Sequence, residues 1–81
     1  MIVTVKFFAS MRELARADAC RLALAPGACA LEAKRLLEDR YPELGRLLPY
    51  ARLAVNLEYR SWDAPVQDGD ELALIPPVSG G

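Results

Sequence analysis

The chain has 81 residues, 53% of them hydrophobic and 26% charged, with a formal net charge of −1. That length suits one domain near the lower limit for a self-sufficient core, and the apolar content excludes a disordered polar segment. The near-neutral balance, the scattered Arg and Lys and the lack of a span-length apolar run exclude an electrostatic footprint for nucleic acid and a membrane helix.

Histidine is absent, which removes the commonest general base and the commonest metal ligand. Cys20 and Cys29 stand nine positions apart, a spacing that matches no zinc or CxxC pattern. They read as two small, buried or half-buried thiols. Catalysis by the body of the domain and a metal site are therefore not expected. The first residues enter a strand and not a signal peptide, so a cytoplasmic protein is expected.

Ile2 to Phe8 is rich in β-branched and aromatic residues and predicts the first strand, with Val3, Val5 and Phe7 on one face. Phe7 and Phe8 are adjacent, and the pattern leaves open which of them faces outward. Ser10-Met11-Arg12-Glu13 has capping-box spacing. It predicts a short helix, N-capped by Ser10 and running to about Ala17, with Leu14 packed beneath it. Asp18 suits the turn that follows. Arg21 to Ala25 alternates again, with Leu22 and Leu24 inward and Pro26-Gly27 closing the strand. These first two strands should pair antiparallel.

From Ala30 to Tyr41 the period becomes helical. Ala30, Ala33, Leu37 and Tyr41 form a stripe that Leu36 widens, with Glu32, Lys34, Arg35, Glu38 and Asp39 mainly opposite. Pro42 stops this helix, and its start is weak because Ala28 and Cys29 offer no good N-cap. Pro42 to Arg52 reads as loop with one turn around Leu44 to Leu48. Leu53 to Leu57 predicts a strand with Leu53, Val55 and Leu57 on one face, and Tyr59 and Trp62 mark a short edge strand or turn. Asp68-Gly69 is a turn signal launching the final strand, where Leu72 and Leu74 alternate with Ala73 and Ile75.

One long helix cannot bury its stripe alone, so an α+β architecture follows, a mixed sheet of four to five strands with the helix across one face. The other face meets solvent. Ile75, Tyr59 and one of the paired phenylalanines belong there, as a docking surface or as the scattered hydrophobes of an ordinary surface.

Residues 1–75 thus form the domain, and residues 76–81 an extended tail. Pro76 and Pro77 end sheet pairing and favour a polyproline-like path, carrying Val78, Ser79, Gly80 and Gly81 away from the body. Glycine lacks a Cβ, so the tip passes narrow channels and lets catalytic groups approach the carboxyl carbon. An ionised carboxylate is a poor electrophile, so acyl chemistry at Gly81 needs activation by a partner.

The element order and the run Asp68-Gly69-Asp70-Glu71 … Ile75-Pro76-Pro77-Val78-Ser79-Gly80-Gly81 resemble the small, sulfur-carrying subunit of molybdopterin synthase (the MoaD family). The wider group is the ubiquitin-like β-grasp sulfur carriers. The likeness extends to Phe7-Phe8-Ala9, Arg12-Glu13-Leu14 and Val55-Asn56. Ala28-Cys29 departs mildly, since such proteins often open the helix with threonine. The resemblance implies that Gly81 is adenylated by a ubiquitin-activating-like adenylyltransferase consuming ATP, then converted to a thiocarboxylate by a sulfur donor enzyme. It implies that the tail, Pro76 to Gly80, threads into the large synthase subunit, which supplies the catalytic residues. There the sulfur passes to cyclic pyranopterin monophosphate in molybdenum cofactor biosynthesis, within a heterotetramer. The family's apolar docking patch maps by position to Phe7, Tyr59 and Ile75. The same chemistry in another pathway (thiamine, tRNA thiolation or cysteine), and a ubiquitin-like modifier or interaction domain, are the alternatives.

Overall fold

Strict alternation drives the first strand inward on one side only. Val3, Val5 and Phe7 are buried while Ile2, Lys6 and Phe8 are exposed. The computed structural model describes residues 1–77; Val78, Ser79, Gly80 and Gly81, and the expectations that fall on them, lie outside the described residues. The elements are β1 (Ile2–Phe7), α1 (Ala9–Ala15), β2 (Ala19–Ala23), α2 (Ala30–Arg40), β3 (Arg52–Val55), β4 (Glu58–Arg60) and β5 (Glu71–Ile75). Two short 3-10 turns, Pro42–Arg46 and Leu48–Tyr50, bridge α2 and β3 and bury Leu44 and Leu48.

The five strands lie in the order β2-β1-β5-β3-β4. β1 pairs antiparallel with β2, as expected, and parallel with β5, while β3 pairs antiparallel with both β4 and β5. The last strand thus sits in the middle of the sheet. One face carries Val3, Val5, Phe7, Leu22, Leu53, Leu72 and Leu74 into a core closed by Met11 of α1 and by Ala30, Ala33 and Leu37 of α2. No polar or charged residue is buried among the described residues. The mixed sheet with one main helix across it is the expected α+β architecture.

Several local expectations are corrected. Phe7 is 2% exposed and meets the Tyr41 ring edge-on at 5.4 Å, so it belongs to the core and not to a docking patch. The reason is parity: Phe7 shares its side of β1 with Val3 and Val5, and Phe8 takes the open side. Helix α1 is capped at Phe8, not Ser10, and makes no side-chain capping bond. The Phe8 carbonyl already accepts from the Met11 and Arg12 amides, so Ser10 lies beyond the cap position. Met11 and Ala15, at i and i+4, are its buried residues, while Leu14 is only half-buried. The helix ends at Arg16 in the left-handed region, with φ 57°.

Leu36 does not widen the stripe of α2, because it is exposed along with Leu31. Leu57 does not extend β3. Asn56 and Leu57 have φ of 50° and 71°, the left-handed pair of a two-residue hairpin turn matching strand twist. Leu57 is consequently 91% exposed.

Truncation separates the two phenylalanines. Phe7→Ala should cost about 3–5 kcal/mol of stability in urea unfolding, as expected for a buried ring. Phe8→Ala should cost less than about 1 kcal/mol.

Candidate functional site

The sheet face turned away from α2 is built from the opposite parity of each strand. Lys6 lies opposite Ala73, Ala73 opposite Ala54, and Ala54 opposite Tyr59, forming one row across four strands. Alanines in the middle of that row keep the floor low. Tyr59 stands above it at 61% exposure. In the neighbouring row Arg52 lies opposite Ile75, and the Arg52 guanidinium carbon sits 4.3 Å from the centre of the Tyr59 ring. Phe8 follows Phe7, the partner of Leu74, and so stands at the same end of the sheet as Ile75, 43% exposed. Phe8, Ile75 and Tyr59, with Arg52 beside the last two, therefore surround the root of the tail. Phe7 is replaced by its neighbour; Tyr59 and Ile75 lie on the expected face. Elsewhere on this face Lys6 and Glu71 pair at 3.4 Å.

The tail root is held in register by the turn preceding β5. Gly69 has φ 87°, and its amide donates to the Ile2 carbonyl at 2.8 Å. The Ile2 amide donates to Asp68 Oδ1 at 2.7 Å, and the Gln67 amide donates to Asp70 Oδ2 at 2.8 Å. Asn56 closes the arrangement from β3. Its Nδ2 donates to Asp70 Oδ1 at 2.9 Å, and its Oδ1 accepts from the Glu71 amide at 2.9 Å. Asparagine does two things here, since it tolerates a left-handed φ and offers both a donor and an acceptor. The sequence placed Asn56 inside the strand expected over Leu53 to Leu57 and in the family resemblance, but its left-handed φ of 50° puts it in the turn instead. The signal available was an Asn directly after an alternating apolar run.

β5 ends at Ile75; Pro76 is half-buried and Pro77 exposed. Both cysteines are free, and burial pushes the Cys20 thiol up, opposed by its hydrogen bond with Tyr41 and by the Arg40 charge. Tyr41 is raised too, by burial first and then by Cys20. A thiol and a phenol raised above their ordinary values are both neutral at pH 7, so neither supplies a nucleophilic anion. Among the described residues no group of His, Cys, Asp and Glu is placed to hold a metal, and no helix is long and apolar enough to cross a membrane. A hollow of about 560 Å³ beside α2 is lined largely by Ala23, Leu24, Pro26 and Leu36, with Glu32 and Arg35 at its wall.

A five-stranded mixed sheet with its last strand central and one helix laid across it is the ubiquitin-like β-grasp fold. Within that class the ThiS family model matches residues 5–81, and the chain belongs to the ThiS family. It is 41% identical to the molybdopterin synthase sulfur carrier subunit of Escherichia coli strain K12, over 99% of this chain and all of that one. The likeness to the corresponding subunit of Dictyostelium discoideum is 47% over 49 residues, covering 58% of this chain and 57% of that protein. Among solved structures, SAMP1 from Haloferax volcanii superposes with a TM-score of 0.91 at 29% identity, covering both chains completely. A chain of the complex of subunits 1 and 2 of molybdopterin-converting factor from Helicobacter pylori 26695 gives 0.75 at 26%, also with complete coverage.

Two substitutions in the β3–β4 turn should act in opposite directions. Asn56→Ala removes both bonds to the β5 launch and should destabilise by about 1–3 kcal/mol in thermal or urea unfolding. Leu57→Gly relieves a left-handed leucine and should stabilise by roughly 1 kcal/mol.

Proposed function

We propose that this protein is a sulfur carrier, the small subunit of a molybdopterin synthase, whose C-terminal Gly81 is loaded as a thiocarboxylate. The observation that carries the reading is 41% identity, over essentially the full length of both chains, to a subunit of that name, and a family match that runs through Gly81 agrees with it. The geometry supports it, because the apolar residues Phe8, Tyr59 and Ile75 surround the point where the tail leaves the sheet. A partner seated on that face receives the tail without a long reach.

The body brings rigidity and the tip brings the reacting group. A terminal carboxylate, with a reference pKa of about 3.3–3.7, is ionised at neutral pH and resists attack. A ubiquitin-activating-like adenylyltransferase couples it to the AMP portion of ATP, releasing pyrophosphate. Sulfide-level sulfur supplied by a donor enzyme then attacks the acyl carbon, the acyl–phosphate bond breaks to release AMP, and the thiocarboxylate remains. Pro76 and Pro77 stiffen the stem, and Val78, Ser79 and Gly80 carry Gly81 into the large subunit. That subunit supplies the groups that deliver sulfur to cyclic pyranopterin monophosphate. The protein is not an enzyme by itself, holds no permanent cofactor and works in the cytoplasm within a heterotetramer.

A second reading, protein modification, is favoured by the close superposition on SAMP1 and on the small archaeal modifier protein 1 of the same organism. It uses the same activated glycine but ends in an amide to a lysine.

Purified protein incubated with the adenylyltransferase, ATP and a sulfur source should gain the mass of one oxygen-to-sulfur exchange at Gly81. An unchanged terminus, under conditions that load an established carrier, overturns the proposal. Conversion of precursor to molybdopterin with the large subunit distinguishes the carrier from the modifier, which instead gives lysine conjugates bearing the Gly81 remnant. Deleting Gly80 and Gly81 should abolish loading and leave the melting curve unchanged. The Cys20→Ser, Cys29→Ser double variant should load normally, because neither thiol takes part.

A further inference from the structure

The outer sheet face is not electrically neutral. Lys6, Arg21 and Arg52 project from it against the single carboxylate of Glu71, although the chain as a whole carries a net charge of −1. Lys6 and Glu71 satisfy one another at 3.4 Å. Glu58 and Arg60, on the opposite parity of β4, pair at 3.1 Å and leave this face unchanged. Arg21 lies on β2, at the edge of the sheet far from β3. That leaves Arg52 as the charge at the tail root. Among the described residues no carboxylate lies within ion-pair distance of it.

The placement of Arg52 is specific. Its guanidinium lies over the Tyr59 ring at 4.3 Å, and its backbone position is directly opposite Ile75, the residue before Pro76. A cation held over a ring face is attracted through its charge and keeps N–H donors on the side away from the ring. The ring also limits the rotamers of a long side chain, so less entropy is lost when those donors are engaged. Any protein that takes up the tail and covers Ile75 must also cover Arg52. Removing an unpaired guanidinium from water is costly unless an anion replaces the lost hydration.

We infer that Arg52, held over the Tyr59 ring beside Ile75, reads an Asp or Glu side chain on the protein that receives the tail. The contact adds charge selectivity to an otherwise apolar seat formed by Phe8, Tyr59 and Ile75. It rests on the proposed carrier function, with the large synthase subunit as the receiving protein.

The test measures binding of the full chain to the purified large subunit at low and at high salt, for the parent and for Arg52→Gln, Arg52→Lys and Ile75→Asp. Arg52→Gln should bind about tenfold more weakly at low salt, and the difference should shrink at high salt as screening removes the parent's advantage. Arg52→Lys should recover only part of the loss, since an ammonium keeps the charge without the planar fork. Affinity of Arg52→Gln within about twofold of the parent, while Ile75→Asp still abolishes binding, overturns the role of Arg52 and leaves the carrier reading standing. An equal loss at both salts also overturns it, because a merely structural role weakens binding without regard to screening. No binding by the parent removes the carrier reading and this inference together.

Discussion

The pairing of β5 between β1 and β3 is the constraint on which the other features depend. Leu72 and Leu74 enter the core from this strand with no measurable exposure, and both neighbouring strands take their register from it. A slip of one residue would turn both leucines outward and bring Ala73 and Ile75 inward, exchanging core for surface. The turn at residues 67–70 guards against that slip. Its amides and carboxylates bind Ile2 on one side and Asn56 on the other, so two neighbours confirm a single register. Ile75 consequently points away from the core at the place where the prolines begin. The position of the tail root is thus a property of the sheet and not of the tail.

Much of this was legible from residue order. Alternation identified β1, β2, β3 and β5, and the 3.6-residue stripe located α2 almost to its ends, with Pro42 as the stop. The hidden parts have local causes. Ser10 and Glu13 carry a capping pattern, but the chain leaves β1 so tightly that Phe8 already supplies the first carbonyl of α1. Leu57 continues the apolar parity of Leu53 and Val55, yet the left-handed pair at 56 and 57 turns the chain before it can pair. No composition rule favours leucine in that conformation, so the pattern misleads there.

The outer face of the sheet shows a different limit. Parity placed Val3, Val5 and Phe7 together but, with two phenylalanines adjacent, left open which ring faces outward; mapping by family position chose Phe7, and the fold buries Phe7 and exposes Phe8 instead. Neither route reached Arg52, because its importance comes from two neighbours distant in sequence, Tyr59 on β4 and Ile75 on β5. Nothing in the heptapeptide around an arginine reveals which ring it will lie upon. The absence of histidine was legible in the sequence, whereas the upward shifts of Cys20 and Tyr41 come from burial beside one another and are visible only in the fold.

The central position of a strand made so late in the chain bears on how the protein is born. β1 leaves the ribosome well before its parallel partner at residues 71–75. Until that segment is free, β1–β2 and β3–β4 are two separate hairpins, each marginal in water by itself. The sheet therefore joins only once residues 71–75 are free to pair, through contacts between segments far apart in sequence, which favours slow, all-or-none assembly. A chain interrupted before residue 71 has no middle to its sheet and presents unfolded hairpins to the cell's proteases. Molecules that survive as folded domains are therefore those whose synthesis has reached the strand from which the tail departs.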